Sequence, residues 1–424
     1  YLTREAGRQE QILIYSDDEG VTWKKHGVVI ATEQNAFYDP ANAGIAFRDP
    51  KIFELGNGKW GIIVGGGRYQ FYVSSDRVHW EYSSCLPVDA ECPDIVKIAT
   101  DDGDKWVITM SSRQYLVGEL RYEDNKIKFF NESGKELTAA DATLADCNVR
   151  TMDFGPDAYA SQTFYIADPD AAYYGKAVAI SWFNDPLIEW GDNANAMAAL
   201  RDPWNGGFTF PVELGLRKAG DEYVLTQTPI AGIADVEETV WETDGERTVS
   251  ATDENLLAQV RGAQLDIEAQ VAFTAGAHFG LRVQEGIDGY IEIGYDQTGY
   301  YVDRSHASNG GTEIPRYLRR YDSHTQAADG VATWRILTDA NSVEVFAEHG
   351  TVPFFAASFP SQGSTGVSLF TDADITVQSL TVRRVTSVWR EQDDLQEDCT
   401  WLQLSASEIY LAGVFAYART VAAF

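Results

Sequence analysis

An all-β chain in two parts, a repeated first half and an alternating second half, is what this sequence of 424 residues predicts. Three observations carry the prediction. Trp (11), Tyr (21) and Phe (20) are abundant beside 36 Gly, a composition weighted towards strands and turns. Strand-length apolar runs are closed by turn signals, with no long amphipathic helix readable in the first 220 residues. Finally, the runs repeat.

In chain order, ILIYS (12–16), GIIVGGG (61–67), QFYVSS (70–75), KWVITMSS (105–112) and AVAISWF (177–183) read as strands, separated by DDEG, GNG, DDGD and NESG turns. YSDDEGVTW, ending at Trp23, is echoed by VSSDRVHW, ending at Trp80, 57 residues later. RDPKIFELGNGKWGIIVGGG (48–67) is echoed by ECPDIVKIATDDGDKWVITMSS (91–112), with a weaker third copy over 157–183. Repeats of roughly 40–60 residues holding about four short strands indicate propeller blades; an irregular sandwich is the alternative. SDDEGVTW fits an Asp-box, a blade-closing turn, and the GxGxxG match at 56–61 lies in a hairpin with no helix to offer a phosphate. After about residue 230, QLDIEAQVAF, GYIEIGYD, WRILTDANSVEVFAEHG and GVSLFTD alternate polar with apolar, as in an antiparallel sandwich. The expected division is a propeller over 1–228, a sandwich over 229–390, and a tail or the start of a further module over 391–424.

The chemistry is narrowed by charge. Acidic residues number 64 against 33 basic, a net charge of −31, which argues against nucleic-acid phosphates and anionic membranes as partners and suits a neutral sugar. Cys85, Cys92, Cys147 and Cys399 form no CxxC pair and the six His form no HExxH, so neither a metal site nor a disulfide framework is expected; no GxSxG elbow is present, which argues against a serine hydrolase, and no cofactor is expected. Asp49 and Glu91 fall at matching places in the repeat. If the strands they precede are innermost in their blades, both carboxylates reach one end of the central channel, the arrangement glycoside hydrolysis needs. The alternative is that Asp-Pro and Glu-Cys-Pro merely open turns.

FRDPKIF (47–53) followed by ECPDI (91–95) resembles the RDP and EC motifs of glycoside hydrolase family 32, the invertase, inulinase and levanase group. QEQILIYSDDEGVTW (9–23), DFGPDAYASQTFY (153–165), ISWFND (180–185), PWNGGFTFPVELGLR (203–217) and SVEVFAEHGTVPFFAASFP (342–360) extend the resemblance over about residues 9–390, with secreted bacterial fructanases most similar. The resemblance implies a five-bladed β-propeller followed by a β-sandwich and a retaining mechanism on terminal β-fructosyl residues of levan, inulin or sucrose, acting outside the cell. It implies Glu91 as acid/base and Asp49 as transition-state stabiliser, with Arg48 holding their charges and Cys92 lining the pocket. Asp157, Tyr159 and Trp182 would border the fructose site. Burial and neighbouring carboxylates would raise the pKa of Glu91.

One departure matters. The family nucleophile is the Asp of a WMNDPNG-like motif, and no such motif lies upstream of Asp49; the SGS-type block is missing too. Asp185, in WFNDP (182–186), lies after the acid/base, where chain order requires a different strand. With no initiator Met and room for about four units of 57 residues before residue 230, the expectation is a chain that starts within the second blade. On this reading the nucleophile is absent and the chain is inactive alone. The alternatives are a non-catalytic fructan-binding or assembly subunit completed by a second chain supplying the first blade, and a different five-bladed enzyme of arabinan-hydrolase type.

Overall fold

The structure, a computed structural model, describes residues 2–5, 8–18, 20–41, 46–111, 113–166, 169–171, 173–183, 207–308 and 317–387. Asp185, Cys399 and the tail over 391–424 therefore lie outside the described residues.

The first half forms four antiparallel sheets among the described residues. The first holds β1 (Leu2–Glu5), β2 (Arg8–Tyr15) and β3 (Lys24–Ile30), and the second β4 (Arg48–Gly56), β5 (Lys59–Gly65), β6 (Tyr69–Ser74) and β7 (Glu81–Leu86). The third holds β8 (Pro93–Ile98), β9 (Lys105–Met110), β10 (Gln114–Glu123), β11 (Lys126–Asn131) and β12 (Arg150–Thr151). The fourth holds β13 (Ala158–Tyr165), β14 (Ala177–Phe183), β15 (Gly207–Phe208), β16 (Val212–Ala219) and β17 (Glu222–Pro229). The 48–67 and 91–112 copies become the β4–β5 and β8–β9 hairpins, and the third copy becomes β13–β14. The turns after β2 and β6 close on themselves. Asp18 accepts from the Thr22 N–H and hydroxyl, and Asp76 accepts from the N–H groups of Val78 and His79.

Neighbouring sheets meet through apolar faces, which is why the strands carry long buried runs rather than strict alternation. Phe53, Ile63, Phe71, Ile95, Ile108, Leu116 and Phe129 fill the space between the second and third sheets. Ile30, Phe47, Ile62, Tyr72 and Trp80 fill that between the first and second.

A 3₁₀ turn, Ala231–Val236, leads into the sandwich. One of its sheets runs, in spatial order, Glu237–Glu242, Ile375–Val385, Leu265–Phe273, Val331–Asp339, Ser342–Ala347 and Val352–Ala357, with Arg247–Val249 also on the second of these. The other runs Arg320–Asp322, Gly299–Asp303, Gly289–Asp296, Phe279–Gly286 and Gly366–Thr371. Their inner faces share a core that includes Ile267, Phe279, Ile293, Trp334, Val345 and Phe354.

The sandwich packs on the propeller through Leu337, Phe346 and Phe355, which join Val107, Tyr115, Val117, Val212 and Leu214 in one apolar cluster. The backbone takes part as well. Phe154 donates to the Pro353 carbonyl at 3.0 Å and Asp157 to the Phe355 carbonyl at 3.2 Å. Gly155 permits this approach, since a Cβ there would stand 2.4 Å from the nitrogen and oxygen of Phe355.

Candidate active site

β4, β8 and β13, the opening strands of three successive sheets, lie side by side, β4 against β8 and β8 against β13, and the motif residues sit where they touch. The motifs share a backbone device. Asp49 and Cys92 both adopt left-handed conformations, with φ of 59° and 49°, and each precedes a proline. Such positions cost on the order of 1–3 kcal/mol each and persist where the surroundings over-determine them. In β4 the ladder shifts register between Arg48 and Lys51, so Asp49 and Pro50 stand outside it; proline has no N–H to lose there.

The resulting geometry places Arg48 between two carboxylates. Its Nη2 pairs with Glu91 Oε1 and its Nε lies 3.5 Å from Asp49 Oδ2. The other oxygen of Glu91 accepts from the Tyr159 hydroxyl, and the Cys92 N–H donates to Asp49 Oδ2 at 3.2 Å. The Glu91 carbonyl is fixed by two hydroxyl donors, Tyr69 at 3.0 Å and Ser111 at 2.7 Å. Glu91 remains half-exposed while Asp49 and Arg48 are mostly covered, so the pocket opens towards the acid/base candidate.

The expected match between Asp49 and Glu91 in the repeat needs correction. With the prolines aligned, RDPK stands against ECPD: Glu91 is equivalent to Arg48, and Asp49 to Cys92. Equivalent residues of adjacent blades also face each other in space. Arg48 meets Glu91, Asp49 meets Cys92, and Lys51 meets Asp94 at 3.0 Å.

The expected upward shift of the Glu91 pKa is also reversed. The Tyr159 hydroxyl donates to the carboxylate and holds its pKa below the ordinary glutamate value, helped by Arg48; the half-open setting gives burial too little weight to win. Tyr159 itself is pushed up to about 12 by burial and by its bond to Glu91, so it stays a donor. Burial and the nearby Asp49 and Glu91 push the Cys92 thiol up to about 12.

Trp182 stands opposite Tyr159 in the β13–β14 ladder, and Phe208 stands opposite Trp182 on the other side. Directly opposed residues share a face, so an aromatic row runs outward from the Glu91 partner to an exposed Phe208. Asp157 is not at this pocket. Its carboxylate, wholly buried, accepts from Arg304 Nη1 at 2.7 Å and from the Ala357 N–H at 2.6 Å, both in the sandwich. As a sugar ligand it is therefore withdrawn: its place is between the domains.

Sequence reasoning missed Tyr69, Ser111, Lys51, Asp94 and Phe208. Lys51 and Asp94 did leave a signal, being oppositely charged residues at the same motif position of two blades. Tyr69 and Ser111 left none, because their role depends on where adjacent blades touch.

The Glycosyl hydrolases family 32 N-terminal domain matches residues 2–229, and the family 32 C-terminal domain matches residues 235–384. The fructan beta-fructosidase of Streptococcus mutans is 29% identical over 97% of this chain and 28% of its own length. The levanase of Bacillus subtilis is 26% identical over 92% of this chain and 57% of its own length. The chain thus spans between about a quarter and somewhat over half of these curated relatives. The crystal structure of exo-inulinase from Aspergillus awamori shares the propeller-plus-sandwich fold, with a TM-score of 0.70 at 21% identity over 90% of this chain and 75% of that one. The chain belongs to glycosyl hydrolase family 32.

Proposed function

We propose that this family 32 chain serves the retaining cleavage of terminal β-fructosyl residues from fructans of the levan or inulin type, or from sucrose. One observation carries the reading: a single guanidinium, Arg48, bridges Asp49 and Glu91 while Tyr159 grips the free oxygen of Glu91. The names of the relatives, a fructan beta-fructosidase and a levanase, point the same way.

In this mechanism Glu91, protonated, gives its proton to the departing glycosidic oxygen as a nucleophilic carboxylate bonds to the anomeric carbon. It then takes a proton from the water that releases fructose. Asp49, held by the Cys92 N–H, accepts from fructose hydroxyls and opposes the positive charge developing on the ring. The free site favours ionised Glu91, the form needed as base. A seated sugar strips water from it, and desolvation is the influence already pushing its pKa upward, so binding favours the acid form.

The nucleophile has no counterpart of WMNDPNG type in these 424 residues. Residues 1–424 alone are accordingly expected to release no fructose from levan, inulin or sucrose, measured as reducing sugar. Release would overturn that part of the reading. A longer chain carrying the motif should be active; if it is inert, the chain is a fructan-binding or assembly subunit, which its complementation by a second chain would test. Work outside the cell is the accompanying expectation, in line with the Aspergillus awamori relative, an extracellular exo-inulinase. Among the described residues no helix is long and apolar enough to cross a membrane.

A further inference from the structure

Beneath the pocket, one shell further into the propeller, lies a polar cluster that the chemistry above does not use. Asp94 is completely buried on β8 and pairs with Lys51 Nζ of β4 at 3.0 Å. Its second oxygen accepts from the backbone N–H of Thr163 on β13, and the Ile95 N–H donates to the first at 2.7 Å. Lys51 Nζ also donates to the Thr163 carbonyl, with the Thr163 hydroxyl 3.3 Å away. Two side chains, Lys51 and Asp94, and the Thr163 backbone thus join three strands that share no ladder with one another. Each strand carries a pocket residue or follows directly on one: Asp49 two positions before Lys51, Glu91 three before Asp94 and just ahead of β8, and Tyr159 four before Thr163.

We infer that Lys51, Asp94 and Thr163 form an inter-blade clamp that sets the register of Asp49, Glu91 and Tyr159 against one another. They are positioning residues, acting through the strands and not on the sugar. The reason is geometric. Each blade is hydrogen-bonded within itself, so sliding of one opening strand along the next is resisted at the axis by packing and by these bonds. A reacting pair must be held to within about 0.5 Å, which apolar contact alone specifies poorly. A buried ion pair is weak evidence for stability, and fixing register is its best-attested use.

The inference rests on the role proposed for Glu91, but its test does not need turnover. The Glu91 carboxyl is titrated by carbon NMR in residues 1–424 carrying labelled glutamate, with Glu91→Gln assigning the resonance. With Lys51 still charged, Asp94→Asn does not raise the Glu91 pKa through space, because losing a negative charge lowers it and losing a protonated carboxyl leaves it unchanged. Loosened grips from Tyr159 and Arg48 raise it. The clamp predicts a rise of at least ~0.5 pH unit in a folded protein. Should Asp94→Asn fail to fold, Asp94→Glu carries the test: it keeps the charge and displaces the carboxylate by one methylene from Lys51 Nζ and the Thr163 N–H, and the expected rise is smaller, ~0.2 unit. A Glu91 pKa that falls or stays put in Asp94→Asn, or stays put in Asp94→Glu where that variant is needed, overturns the clamp. Failure of the catalytic reading is seen separately, as activity retained by Glu91→Gln in the longer chain.

Discussion

Two places in this molecule are built from the same parts, an arginine and two aspartate or glutamate side chains, and they behave oppositely. At the propeller axis Arg48 joins Asp49 and Glu91 in a half-open pocket; between the domains Arg304 meets Asp157, with Asp153 nearby, wholly out of water. In the first, hydrogen bonds and Arg48 outweigh burial and lower the Glu91 pKa. In the second, burial dominates and pushes Asp153 up to about 8, despite Arg113 and the N–H groups of Gly155 and Phe355. Glu344, also buried between the domains and accepting from the Phe210 N–H, is pushed the same way. Solvent access, not residue type, separates a carboxylate that can exchange protons with its surroundings from one that holds two domains together.

The largest expected effect falls on the axis. In a longer, active chain, Glu91→Gln should cut turnover by ~10²–10⁴-fold while the thermal midpoint stays nearly unchanged. Asp49→Asn should also cripple turnover with the fold intact; a near-normal rate in either removes that residue from its role. Next comes the interface. Arg304→Met strands the Asp157 carboxylate in a dry setting and should cost about 3–5 kcal/mol in denaturant unfolding. A cost under ~1 kcal/mol would mean that water reaches Asp157 and the contrast between the regions is lost.

The pH dependence should separate the regions by sign. Asp153 binds its proton more tightly folded than unfolded, so between its ordinary value near 3.8 and its folded value of about 8 the native state holds the extra proton. Its contribution is therefore present at low pH and lost as pH rises through that window. Glu91, with a lowered pKa, contributes above its ordinary value and loses that contribution on acidification. Asp153→Asn should flatten the alkaline fall in stability between about pH 5 and 8 and leave the acid limb in place. An unchanged slope would assign the window to Glu344 or to other groups. The smallest effect concerns Cys92: its thiol, pushed up to about 12 by burial and the nearby carboxylates, should alkylate far more slowly with iodoacetamide at pH 7.5 than a free cysteine, as read by mass spectrometry.

Much of the architecture was legible because it depends on local composition: Val, Ile, Tyr and Trp runs such as GIIVGGG and KWVITM did become β5 and β9. Arg48, Asp49, Glu91 and Cys92 were legible as a group, since RDP and ECP are each contiguous in the chain, whereas Tyr69 and Ser111 were not. Nor were the pairings. Arg48 reaches Glu91, and Lys51 reaches Asp94, only because adjacent blades stack in register, 43 residues apart in each case. The same gap misplaced Asp157, which shares a strand region with Tyr159 yet is claimed by Arg304, 147 residues downstream. The direction of the Glu91 shift could not be read because a tyrosine hydroxyl from a third blade decides it.

The sign of the charges in the two motifs has a consequence for how such a ring is put together. RDPK presents positive groups at its first and fourth positions, and ECPD presents negative groups at the same two. Two adjacent copies of the first would set Arg against Arg and Lys against Lys; two of the second would set Glu against Glu and Asp against Asp, the inner pair out of water. Near-identical repeats invite shuffling, because each can stack on any other. Here the two neighbours are written in opposite polarity, so a chain that duplicated either hairpin beside itself would set like charges against each other where the blades touch.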